Sequence, residues 1–123
     1  MRMPGTRKTE GEVRARLPLR PLEFSILLAL AEGDLHGYGI AKRIAERDAG
    51  GVELAPGNLY GVLDRLIGGG LIEARRRRVG DGRRRDYGLT ELGRRVASAE
   101  AERLREVVQT AIRLDLLSGR AAR

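Results

Sequence analysis

The chain has 123 residues, no cysteine, one histidine and a formal net charge of +7. That length supports one small core, and the composition excludes a disulfide scaffold, a cysteine nucleophile and a histidine-rich metal centre. No apolar run approaches the roughly 18 residues of a membrane span and no signal-peptide pattern is visible, so the expected compartment is the cytoplasm, with no membrane partner.

Residues 1–16 are polar and aperiodic, which predicts a flexible basic arm; residues 1–20 together hold six basic and two acidic groups. Apolar residues then run from Leu22 to Leu30, opened by Pro21 and Glu23 and closed by Gly33, and predict a buried helix over about 21–32. After the turn Leu35-His36-Gly37, a second helix is expected to about Asp48, with Ile40, Ala41, Ile44 and Ala45 on its buried face. Val52-Glu53-Leu54 alternates as a very short strand would. Pro56 opens a third helix whose Leu59, Val62, Leu63, Leu66 and Ile67 form one apolar stripe, stopped by three glycines at 68–70.

Residues 73–89 hold seven basic and three acidic groups, whereas residues 21–72 are net acidic. The basic segment reads as two strands around a Gly80-Asp81-Gly82 turn, anchored by Leu71, Ile72, Tyr87 and Leu89. Three helices followed by a basic hairpin describe a winged helix-turn-helix over 17–89. The expected fold class is therefore mainly α with a small β-hairpin. Thr90 caps a last helix expected over 90–117, before a tail at 118–123. Its Val96, Ala97, Ala101, Leu104, Val107, Val108, Ala111 and Ile112 fall on one stripe. At about 40 Å the helix outruns a three-helix domain, so the stripe is expected to pair with a second copy.

Clustered cations on one element fit a polyanion, and a wing is an element that reaches duplex DNA. The wing candidates are Arg76, Arg78, Arg83, Arg84 and Arg85, although strand alternation forbids all of its arginines from facing one way. Asn58, at the start of the third helix, suits bidentate pairing with adenine, or else satisfies the helix N-terminus. Tyr38 and Lys42 are phosphate candidates, Lys42 against plain solvation; His36 reads as a structural turn residue. No Ser-His-Asp set and no Walker-type glycine loop is apparent, so neither an enzyme nor a cofactor is expected.

Leu35-His36-Gly37-Tyr38, Pro56-Gly57-Asn58-Leu59-Tyr60, Leu71-Ile72 and the arginine-rich hairpin running into Tyr87-Gly88-Leu89-Thr90-Glu91-Leu92-Gly93 occur in this order. Together they resemble the PadR family of bacterial transcriptional regulators, over about residues 18–117. The single last helix is similar to the short subfamily. Ala55 and Gly61 stand where that family commonly has Ser and Pro. The resemblance implies a homodimer held by the last helix and repression of a pseudo-palindromic duplex DNA operator. It also implies phosphate contact by Tyr60 and relief by a small aromatic molecule such as a phenolic acid. With no Trp and one Phe, the chain offers few rings for such an effector; a small apolar cavity at the dimer seam is the other place for one, and a packed seam the plainer expectation. The acidic 21–72 body favours a second reading, a winged-helix protein-interaction module with little sequence-specific DNA binding.

Overall fold

The computed structural model describes residues 6–47 and 56–119. Helix α1 spans Thr6–Arg14, α2 Pro21–Ala31, α3 Gly37–Arg47, α4 Pro56–Gly68 and α5 Glu91–Arg113; strands are β1 Leu35–His36, β2 Ile72–Val79 and β3 Gly82–Leu89. The expected strand at Val52-Glu53-Leu54 and the former Ser position, Ala55, lie outside the described residues.

Helix α2 supplies the centre of the core. Pro21 fixes its first turn, the Glu23 carboxylate accepts the Arg20 N–H at 2.9 Å, and Ile26, Leu27, Ala29 and Leu30 are buried. Ile40 and Ile44 of α3 pack against it, as do Leu59, Val62, Leu63 and Leu66 of α4. Ala45, expected on the buried face of α3, is exposed, whereas Ile40 and Ile44 are buried and Ala41 packs against the core. Gly70, at φ +77°, turns the chain out of α4, and Leu71 N–H bonds back to the Leu66 carbonyl at 3.0 Å. Arg16 donates to the Gly69 carbonyl at 2.7 Å, filling an acceptor that the helix end leaves open.

The sheet has three antiparallel strands in the order β1-β3-β2. The two-residue turn Gly80-Asp81 closes β2 on β3 with Val79 opposite Gly82, and Gly80 takes the left-handed φ of +60° that such turns require. Strand β1 occupies what the sequence reads as a plain turn: Leu35 pairs with Tyr87 and His36 with Asp86.

Residues 6–14, expected as part of a flexible arm, instead form α1, which packs on α5 through Val13. That contact changes the reading of α5. Val96 is fully buried in the chain's own core and Ala97 packs against it, so neither belongs to an uncovered face. Ala101 is exposed, Leu104, Ala111 and Ile112 are half-buried, and Val107 and Val108 are exposed. The helix ends at Arg113, short of the expected 117, because Asp115 turns left-handed at φ 59° and Leu116 N–H returns to the Ala111 carbonyl at 2.9 Å.

Glu100 is a buried carboxylate on α5, bound by Arg103 at 2.8 and 2.9 Å. The Arg103 hydrogen bonds, aided by Leu19 N–H, outweigh burial and hold its carboxyl below the usual range. A group with a lowered folded pKa stabilises fully above its unfolded value, near pH 4.3, and loses that contribution as the pH falls through the folded value. Thermal melts taken from pH 6 to pH 2.5 should show a smaller acid-induced drop for Glu100→Gln than for the parent; parallel curves would remove this role.

Candidate nucleic-acid interface

The antiparallel register sorts the hairpin arginines into two faces. Arg76 lies opposite Arg85 and Arg78 opposite Arg83, on the face that continues from Ile72, Ala74 and Tyr87. Arg75, Arg77 and Arg84 lie on the other, with Glu73, Asp86 and Gly88. The second face is neutralised internally. Arg75 binds both oxygens of Asp34 at 2.7 and 2.8 Å and Glu73 at 2.6 Å, and Arg84 Nε binds Asp86 Oδ1 at 2.9 Å. Arg77 sits 3.6 Å from Asp86 Oδ2. On the first face Arg76, Arg78 and Arg83 have no carboxylate partner among the described residues, and Arg85 lies over the Tyr87 ring at 5.3 Å. Four cations thus point one way with their charge unspent. Arg84, grouped with them in the sequence reading, alternates with them along β3 and is paired with Asp86.

That free face borders a cleft of about 410 Å³ lined by His36, Gly37, Tyr38, Tyr60, Tyr87 and by Arg83, Arg84 and Arg85 of the wing. All three tyrosines of the chain and its one histidine converge there. Tyr38 is 71% exposed at the start of α3, with its ring 6.1 Å from that of His36. Tyr60, from the first turns of α4, is 48% exposed and crosses to α3 at Gly37. A Cβ on Gly37 would lie 2.6 Å from the Tyr60 hydroxyl, so only glycine lets the phenol settle against that backbone. Burial pushes the Tyr87 phenol pKa up, with Arg85 opposing. Asn58 and Lys42 are exposed on α4 and α3, and neither lines the cleft.

Sequence reasoning missed Asp86, the buried acid beneath the wing, and the Asp34–Arg75–Glu73 cluster. Period-2 alternation places Asp86 beside Arg84, a signal that was readable. The pairing of β1 that buries it was not. Among the described residues no group of acidic or histidine side chains could hold a metal, and no helix is long and apolar enough to cross a membrane.

Two helices and a basic two-stranded hairpin, with a short third strand at its root, form a winged helix-turn-helix. Residues 26–99 match the family described as "Transcriptional regulator PadR-like family", and the chain belongs to it. That family is one of transcriptional regulators rather than enzymes. The fold is similar to a PadR family transcription regulator from Clostridium difficile R20291, at 26% identity and a TM-score of 0.68, covering 76% of this chain and 96% of that one. It is also similar to Bacillus subtilis PadR solved in complex with operator DNA, at 27% identity and a TM-score of 0.59, covering 65% of this chain and 47% of that one. A curated relative, an uncharacterized 37.1 kDa protein in transposon TN4556 of Streptomyces fradiae, is 39% identical over 79 residues, 64% of this chain. The chain spans about a fifth of the length of that relative.

Proposed function

We propose that the chain is a cytoplasmic repressor that binds a pseudo-palindromic operator as a homodimer. Helix α4 enters the major groove with Asn58 at a base edge, while Tyr38, Lys42, Tyr60 and the wing arginines grip phosphates on either side. The observation that carries this reading is the meeting of α4 and the wing: Tyr60, Arg83 and Arg85 line one cleft, and the register puts Arg76 and Arg78 on the same face of the hairpin. The exposed apolar side chains of α5 and its end, from Val107 to Leu117, support the second copy. The B. subtilis protein's complex with operator DNA supports the DNA partner.

Selection from a random duplex pool, followed by titration of the winning duplex and a scrambled one against salt, tests the reading. A repressor binds the selected duplex at least about a thousandfold better, with affinity falling steeply as salt rises. Equal, weak binding to both duplexes would favour the protein-interaction module instead. Within this assay Asn58→Ala should lose about 1–3 kcal/mol of discrimination at one base position. Arg83→Ala with Arg85→Ala should weaken both duplexes alike and flatten the salt slope by about two contacts' worth. An unchanged base preference for Asn58→Ala would remove its reading role.

A further inference from the structure

Asp86 is buried to 1% exposure on β3, directly beneath an arginine-rich hairpin, and the DNA-binding reading gives it no task. Its Oδ1 accepts from Arg84 Nε at 2.9 Å, but Oδ2 has no hydrogen-bond partner among the described residues, with Arg77 Nη1 standing off at 3.6 Å. A buried carboxylate with one oxygen unfilled is costly to keep and calls for a reason. Its surroundings supply one. The strand register sets His36 beside it on β1 and Arg75 beside it on β2, and Arg75 is already held by Asp34 and Glu73. The cations left for Asp86 are therefore Arg77 and Arg84, whose own side chains remain 66% and 40% exposed.

We propose that Asp86 is the positioning residue of the wing, keeping Arg77 and Arg84, the latter at the edge of the cleft, paired with its carboxylate so that only Arg76, Arg78, Arg83 and Arg85 meet phosphate. The proposal rests on the DNA-binding reading and adds what limits it. Long, exposed arginine side chains two residues from the strand ends that flank a hairpin turn can swing toward a polyanion on either side. Phosphate contacts add affinity for every sequence, so each extra one raises binding to non-operator DNA as much as to operator. By keeping two arginines occupied, Asp86 fixes the number of sequence-blind contacts and protects the share of affinity that comes from α4.

The test is the slope of log Kd against log salt concentration for the full chain on the selected and the scrambled duplex. Arg83→Ala should lower the slope by about 0.9, the value of one released counterion contact, whereas Arg84→Ala and Arg77→Ala should leave it at the parent value. Asp86→Asn should steepen the slope by about one to two contacts on both duplexes and shrink the ratio of selected to scrambled affinity. Adding Arg84→Ala and Arg77→Ala to Asp86→Asn should return the slope to the parent value. A loss of stability alone does not raise a salt slope, so the steepening separates positioning from a purely structural role. Arg84→Ala and Arg77→Ala that flatten the slope as Arg83→Ala does would overturn the proposal, as would an Asp86→Asn protein with parent slope and ratio. If Asp86→Asn does not fold, the comparison of Arg77→Ala and Arg84→Ala with Arg83→Ala decides by itself. A parent chain that binds neither duplex overturns both this proposal and the DNA-binding reading.

Discussion

Gly93→Ala is expected to destabilise the protein by about 3 kcal/mol, against the ordinary direction of a glycine-to-alanine change in a helix. Gly93 lies in the first turn of α5, where its N–H bonds to the Thr90 hydroxyl at 2.9 Å. A Cβ there would overlap the Leu71 carbonyl oxygen and stand 2.9 Å from Leu89 Cδ1. The carbonyl cannot easily withdraw, because it accepts Thr90 N–H at 3.1 Å and belongs to a residue buried in the core. Relief requires α5 to move off the sheet, which also breaks the bond from the Thr90 hydroxyl to the Gly70 carbonyl at 2.6 Å. Gly61→Ala provides the contrast, since none of the described residues lies within 4 Å of a Cβ at that exposed position of α4. Helix propensity then acts alone and should raise stability by up to about 1 kcal/mol. Urea midpoints of the two variants should move in opposite directions; a Gly93→Ala midpoint at or above the parent's would refute the close packing of α5 on Leu71.

Val108→Glu is expected to yield a monomer whose affinity for the operator falls at least a hundredfold, with no change near the DNA. In the single chain Val108 is 43% exposed, so the charge is tolerated there and helical circular dichroism should persist. Between two copies it would be buried without a partner on both sides, at roughly 3–5 kcal/mol each. A hundredfold loss corresponds to about 2.7 kcal/mol, well within that penalty. Sedimentation velocity with the operator titration checks both halves. A variant that stays dimeric, or a monomer that binds as the parent does, would show that the outer half of α5 is not the seam.

The core helices and the hairpin were legible because each carries its own period: Leu59-Val62-Leu63-Leu66 reads as one stripe and Gly80-Asp81 as one turn. Helix α1 was not, because Val13 is the single large apolar residue in Thr6–Arg14 and its helix is stabilised by docking on α5. The same missing contact explains the misplacement of Val96 and Ala97. A continuous stripe does not say where the chain's own core stops and a second copy begins. Only the packing of α2 and α1 on α5 draws that line. In the wing, alternation forbade all of the arginines from facing one way, but the sequence reading kept Arg84 with Arg76, Arg78, Arg83 and Arg85 and could not tell which of them are neutralised. That depended on Asp34, some forty residues away in sequence, and on Asp86 being covered by β1. Tyr60 against Gly37 is likewise a contact between helices that neither local pattern contains.

Hydroxyl-radical footprinting of the parent protein on its selected operator tests the central claim most directly. Two α4 helices related by a two-fold axis should protect two half-sites centred about 10–10.5 base pairs apart, with flanking protections where the wings lie against the backbone. A single protected half-site, or uniform partial protection along the duplex, would contradict a dimeric operator-binding regulator.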